Sequence, residues 1–163
     1  MNYPTLTLSR ASFLMLFVLI STGMPQPATA SPCANWLGSN FWKSASLSDV
    51  DRCLVTSALT SRTESGLTLL HLAAIASETP AIITALIDAG ADLNARTESG
   101  ATPLHAAANN SETPAIITVL IDAGADVNAR TKDGKRPIDY ARENEALAGS
   151  DAYWQLNDAS YNN

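Results

Sequence analysis

Residues 97–130 read TESGATPLHAAANNSETPAIITVLIDAGADVNAR, and they nearly repeat residues 63–96, TESGLTLLHLAAIASETPAIITALIDAGADLNAR. Position by position, 27 of the 34 residues are identical. Self-similarity at a fixed period of about 20–50 residues is typical of arrays whose units are too small to bury an apolar face alone. The repeat therefore predicts a solenoid in which neighbouring units stack on one another.

Each unit is predicted to contain two helices and a turn. Thr102-Pro103 is a typical helix start, because the hydroxyl can cap a free N–H and proline is tolerated at the first helical position. A second start at Thr113-Pro114 precedes an apolar stripe at helical spacing, formed by Ile116, Ile117, Leu120 and Ile121. Gly124 is predicted to end that helix in the left-handed conformation. The segment that follows, with its Gly-containing turn, predicts an extended finger.

The stretches GATPLHAAA at residues 100–108 and LIDAGADVNA at residues 120–129 resemble the ankyrin repeat. The resemblance implies an all-α solenoid of helix–loop–helix units with β-turn fingers. It extends over roughly residues 41–160, with two full repeats at 63–96 and 97–130. Residues 31–62 and 131–163 are expected to form N- and C-terminal capping half-repeats. The period exceeds the usual value of about 33 by one residue, which is assigned to a loop at 109–113, and Leu69 replaces the proline in the first copy.

The composition agrees with one small helical domain. Of 163 residues, 46% are hydrophobic but only 6% are aromatic, which suits helices rich in Ala, Leu and Ile. The net charge of −6 at pH 7 and the sequence pI of about 4.7 argue against binding to nucleic acid or to an anionic membrane. We expect a monomer with a protein partner and no nucleic-acid partner.

Residues 1–30 have the pattern of a secretory signal peptide. Arg10 is followed by the apolar run at residues 13–20 and then by Ala28-Thr29-Ala30, so cleavage is expected after Ala30. A transmembrane anchor is the alternative, but the unbroken run is eight residues, and a bilayer needs about 20. We expect export to the periplasm of a bacterium or to the exterior, without a membrane anchor after cleavage.

The chain contains two cysteines, Cys33 and Cys53, both in the N-terminal flank. An oxidising compartment favours a disulfide between them, and a closed loop of about 20 residues contributes about 3 kcal/mol in the chain-entropy model. A redox or metal pair is the alternative, although the spacing is neither CxxC nor a zinc pattern. We predict a disulfide that staples the N-terminal flank.

The flanks carry the large side chains that the repeats lack. Trp36, Phe41 and Trp42 are interpreted as capping core and not as a ligand cage, ahead of a helix that begins near Ser48. In the C-terminal flank, residues 134–141 keep the frame of the first helix of the repeat, with Asp139 at the histidine position. Ser150 is a predicted N-cap for a last short helix, and residues 157–163 are expected to fray.

The titratable residues predict no catalytic or metal site. His71 and His105 lie one period apart, and the resemblance implies that they bond to the nearby threonine and backbone. Stacked helices lie about 8–10 Å apart, too far for a shared metal with bonds near 2 Å. The paired carboxylates are repeat equivalents in similar environments, unlike a general acid and base. We expect no enzymatic activity, no cofactor and no metal.

The resemblance implies that a partner contacts the finger tips and the exposed positions of the first helices. In this chain those positions are Glu64, Ser65, Leu67, Ile75, Glu98, Ser99, Ala101, Asn109, Asn110, Lys132, Asp133 and Lys135. The alternative is a merely solvated surface, since the Thr-Glu-Ser-Gly finger is copied unchanged. Three functional hypotheses follow. The first is an exported interaction module. The second is a redox or stress-defence accessory that uses Cys33 and Cys53, and the third, narrower one is an immunity-type partner of another exported protein.

Overall fold

The computed structural model describes residues 36–54 and 59–161, all of which belong to one compact unit. Within those residues the regular structure is helical, which confirms the predicted all-α class. The helices are α1 Ser39–Ser44, α2 Leu47–Leu54, α3 Leu69–Ala76, α4 Pro80–Asp88, α5 Pro103–Asn110, α6 Pro114–Asp122, α7 Pro137–Ala141 and α8 Asp151–Tyr161, with a 3₁₀ turn at Glu145–Leu147. The predicted signal peptide at residues 1–30 and Cys33 lie outside the described residues.

The helices stack in two layers. Helices α1, α3, α5 and α7 pack in that order and form the inner layer, while α2, α4, α6 and α8 form the outer layer. Each full unit therefore contributes one inner and one outer helix, followed by a finger. Each flank also supplies a helix pair, α1 with α2 and α7 with α8, so the two terminal units also contribute one inner and one outer helix each.

The core follows the predicted apolar stripe of the outer helices. Ile82, Ile83 and Leu86 in α4 and their equivalents in α6, including Leu120, are at most 1% exposed. Ile121 is only half-buried, so the stripe is narrower than the sequence pattern suggests. Gly124 ends α6 at a φ of +93°, as predicted for a left-handed cap.

Two helix ends differ from the predictions. Helix α5 runs through Asn110, so the predicted loop at 109–113 is reduced to Ser111–Thr113. Ser111 closes the short loop, because its Oγ donates to the Thr113 carbonyl at 3.2 Å and accepts the Thr113 N–H at 3.1 Å. Helix α8 continues to Tyr161 although fraying was expected from residue 157. Buried Leu156 and Ser160 hold this last stretch against the neighbouring helices.

The aromatic side chains of the N-terminal flank form a core, as predicted. Trp36 and Trp42 are buried, and the Trp42 Nε1–H donates to the Trp36 carbonyl at 2.7 Å. The Phe41 ring meets the Trp42 ring edge-on at 5.0 Å between centroids. Cys53 is fully buried in α2 within the same core cluster.

Candidate interaction surface

Consecutive fingers are joined by their backbones. The Glu98 N–H donates to the Ser65 carbonyl at 3.1 Å, and one unit further on the Lys132 N–H donates to the Ser99 carbonyl at 2.9 Å. Gly100 adopts a φ of +80°, and a Cβ atom there would lie 3.2 Å from the Lys132 nitrogen. Glycine is required here for its conformation and for this close approach. The three finger tips, at residues 63–66, 97–100 and 131–134, are therefore linked by backbone hydrogen bonds into one continuous surface.

The two histidines fix each inner helix to the next finger. In the second unit, His105 Nδ1 lies 3.1 Å from the Thr102 nitrogen and 2.9 Å from its hydroxyl, while Nε2 lies 3.1 Å from the Lys135 carbonyl. Because Nδ1 accepts the Thr102 N–H, the ring proton is on Nε2, which donates to Lys135. His71 repeats the arrangement, with Ala101 as the acceptor at 3.1 Å. The predicted structural role of the histidines is confirmed.

Burial decides the charge of these histidines. Desolvation in the packed helix start lowers the pKa of both His71 and His105 below the ordinary histidine value. The bonds from Nε2 to backbone carbonyls act in the opposite direction and are the smaller effect. Both imidazoles are therefore neutral at pH 7, as the hydrogen-bond pattern requires.

Asp139 replaces the histidine in the last unit and keeps its frame. The Arg136 N–H donates to Asp139 Oδ2 at 2.8 Å, which reproduces the capping bond made by histidine in the other units. The carboxylate also lies 3.8 Å from the Arg136 guanidinium and 3.4 Å from that of Arg142. In the last unit the Asp139 carboxylate is thus paired with the guanidinium groups of Arg136 and Arg142.

A row of arginines at the finger bases was missed by the sequence analysis. Arg62 donates to the Arg96 carbonyl at 3.2 Å, and Arg96 donates to the Arg130 carbonyl at 2.8 Å. Each guanidinium also bonds a glycine carbonyl of the finger that follows it. The strict 34-residue spacing of these arginines was the available signal. They hold the fingers in register.

The structure places the predicted partner-binding residues along the fingers and the inner helices. The exposed ones are Glu64, Ser65, Glu98, Ser99, Asn109, Asn110, Lys132, Asp133 and Lys135, and the half-buried ones are Leu67, Ile75 and Ala101. We call the surface that carries these residues the inner face.

Two clefts lie at opposite ends of α3 and α5 on the inner face. The finger cleft is lined by Ser65, Leu67, Thr97, Glu98, Ser99 and Ala101. The loop cleft, of about 360 Å³, is lined by Lys43, Ile75, Ala76, Ser77, Glu78, Asn110, Glu112 and Thr113. Lys43, Glu78 and Glu112 belong to this surface but were not predicted from the sequence. The two glutamates precede the outer helices in the repeated Ser-Glu-Thr-Pro segment, which was the signal available for them.

Some of the few differences between the two full repeats lie on this face. Three of the seven differing positions line the clefts. These are Leu67 and Ala101, Ile75 and Asn109, and Ala76 and Asn110. Leu72 and Ala106 also differ, but both are buried. The first repeat thus presents aliphatic side chains where the second presents small or amide side chains.

A family model described as "Ankyrin repeats (3 copies)" matches residues 44–131 and, in a second placement, residues 70–149. The chain belongs to the ankyrin-repeat family. Ankyrin repeats indicate a protein–protein interaction module, and they imply a protein partner without identifying it. No curated protein matches the chain.

Within residues 36–54 and 59–161, no group of three or more His, Cys, Asp or Glu side chains could hold a metal ion. In the same part of the ankyrin chain, no helix is both long enough and apolar enough to cross a bilayer. Cys53 is fully buried, and the partner predicted for it, Cys33, lies outside the described residues.

Proposed function

We propose that this is an exported ankyrin-repeat protein without catalytic activity that binds a protein partner on its inner face. The observation that carries the proposal is the position of the differences between the two full repeats. Duplicated units that differ at only seven of 34 positions have nearly the same folding requirements. Three of those positions line the clefts of one surface, where a partner would meet them.

Solvent exposure alone does not account for this pattern. The outer layer also carries exposed residues, among them Ala81 and Asp88 in α4 and Ala89 just after it. Their equivalents in the second repeat are identical. A merely solvated surface would be expected to vary on both layers, since surface substitutions away from special features are usually neutral. At the differing positions the exposed residues are Asn109 and Asn110 of the inner face, while the outer-helix difference, Ala85 to Val119, is half-buried, and this favours binding on the inner face.

Export and the disulfide are parts of the same proposal. The signal-peptide pattern at residues 1–30 supports export, and an oxidising compartment would pair Cys33 with Cys53. The location of Cys53 in the hydrophobic core favours a structural disulfide. A redox-active cysteine is usually partly accessible, so the redox alternative gains no support from a fully buried Cys53.

Affinity capture from the exported fraction tests the proposal. The bait is compared with Asn109→Arg/Asn110→Arg, which changes two exposed residues of the inner face, and with Ala81→Arg/Thr84→Arg, which adds the same charge to exposed residues of α4. We expect a protein that is captured by the wild type and by the α4 variant but lost from the inner-face variant. Equal retention by both variants would show that the partner does not bind this face.

A further inference from the structure

We propose that the partner segment is basic and aliphatic, and that it lies across α3 and α5 from the finger cleft to the loop cleft. This inference rests on the proposed function and specifies the chemistry of the partner. The segment places an aliphatic side chain on the first repeat and Lys or Arg side chains beside the glutamates of the clefts. It follows from the apolar surface, the charges and the dimensions of the inner face.

The apolar part of the inner face belongs to the first repeat. Leu67 lines the finger cleft just before α3, and Ile75 lines the loop cleft near the end of α3. Both are only half-buried, so a partner can remove more of their surface from water. In the second repeat these positions are Ala101 and Asn109. An aliphatic partner side chain therefore gains most by lying over the first repeat.

The charged groups of the two clefts favour a cation. Glu78 and Glu112 line the loop cleft, and Glu98 lines the finger cleft. All three are exposed, and within the described residues none of them lies within 4.0 Å of a Lys, Arg or His nitrogen. Lys43 is the cation among the residues that line the loop cleft. The lining of the two clefts thus holds three carboxylates and one ammonium, with Arg62 and Arg96 engaged by backbone carbonyls at the finger bases. A basic partner is complementary to this lining.

The last finger limits the segment to the first two repeats. Where the first two fingers carry Glu64 and Glu98, the third carries Lys132, and Lys135 stands at the position of Leu67 and Ala101. Lys135 is held in place, with its Nζ 5.1 Å from the Tyr140 ring centroid and 3.9 Å from a Glu143 oxygen. The third finger also carries Asp133, but it has two lysines where the first two fingers have none, so a basic segment is attracted less to it than to the two before it.

The distance between the clefts sets the length of the segment. Helix α3 has eight residues, which corresponds to about 12 Å at 1.5 Å per residue. An extended chain covers about 13 Å in four residues, at roughly 3.3 Å each. A segment of about six residues is therefore sufficient to reach from Glu98 in the finger cleft to Glu112 in the loop cleft, with an aliphatic side chain over Ile75.

Binding of synthetic peptides to the purified full-length protein tests the charge and the apolar contact separately. The probe is a fluorescein-labelled 12-residue peptide of repeating Leu-Leu-Lys-Lys, which in an extended chain presents both residue types on each face, and binding is followed by fluorescence anisotropy. One control peptide replaces Lys by Glu, and the other replaces Leu by Ser. We expect the Leu–Lys peptide to bind at least tenfold more tightly than either control, because both the carboxylates and the aliphatic surface contribute.

Variants locate the site on the protein. Glu78→Gln/Glu112→Gln is expected to weaken binding of the Leu–Lys peptide by about tenfold, since each exposed ion pair contributes a few-fold in affinity. The matched control, Asp88→Asn/Asp158→Asn, removes two exposed carboxylates from outer helices and should change the affinity by less than about twofold. Ile75→Asn copies the second repeat and should weaken binding without a change in the melting temperature beyond a few degrees.

The outcomes separate this inference from the proposed function. Equal binding of the Leu–Lys and Leu–Glu peptides would overturn the basic partner, and so would equal weakening by the two carboxylate pairs. The proposed function would still stand if the captured protein were lost from the Asn109→Arg/Asn110→Arg bait. If that bait retained the captured protein, the proposed function would fail whatever the peptides showed. Competition between the captured protein and the Leu–Lys peptide would support both.

Discussion

Replacing Leu120 by alanine is expected to lower the free energy of unfolding by about 3–4 kcal/mol. The side chain is 0% exposed in α6, and α6 packs against α4, α5 and α8. Substitution of a buried leucine by alanine costs about 2–5 kcal/mol, and more where the cavity cannot collapse. Neighbours on three sides limit such a collapse. The loss is a large share of the 5–15 kcal/mol that is typical of a domain.

Urea titration followed by circular dichroism at 222 nm measures this cost. With a slope of about 2 kcal/mol per molar urea, the midpoint should fall by about 1.5–2 M. Leu86→Ala, at the same position of the preceding repeat, is also 0% exposed and should behave similarly. Glu98→Ala at a finger tip should change stability by less than about 0.5 kcal/mol. Equal destabilisation by Leu120→Ala and Glu98→Ala would refute this assignment of faces.

Three further outcomes are expected. Lowering the pH from 7.5 to 5.5 should reduce the urea midpoint, because burial holds the pKa of both repeat histidines below the ordinary value. Their contribution is full above about pH 6.5 and is lost as the pH falls through the folded-state pKa. A flat profile would contradict it. Reduction of the predicted disulfide should lower the melting temperature and loosen the N-terminal unit first. Detection of two reactive thiols, at Cys33 and Cys53, in protein purified from its native compartment would refute the disulfide. Gly100→Ala should destabilise more than Gly134→Ala, since both have φ near +80° but only at Gly100 does a Cβ approach another backbone among the described residues, 3.2 Å from the Lys132 nitrogen. Thermal unfolding of the two variants decides this, and equal losses would exclude a contribution from the close approach.

The order of helices and the course of the fingers were predictable from the sequence. Thr102-Pro103, Thr113-Pro114 and Gly124 mark helix ends through bonds and dihedral angles within a few residues. The 34-residue period then implies stacking, because an isolated unit exposes its apolar face. Both signals are local or periodic in the sequence, so they can be recognised without knowledge of the tertiary structure.

The ends of the helices in the C-terminal half depended on distant contacts. Asn144 Nδ2 donates to the carbonyls of Ala108 and Ser111, each at 3.1 Å, and thereby satisfies the end of α5 from the following unit. The last turn of α8 is held in a similar way, since Arg136 donates to the Ser160 carbonyl at 3.5 Å. Residues more than 20 positions away supply these partners, so the local sequence could not show where either helix ends.

The resemblance selected single positions for partner binding, but only the tertiary structure decided how they combine. Lys43, Ile75 and Glu112 come from three successive units, and stacking brings them to one cleft. The local pattern around Glu112 indicates only a residue before a helix start. Its place beside an aliphatic surface depends on the packing of α3 against α5, because the inner helices must align before their exposed side chains form a common face.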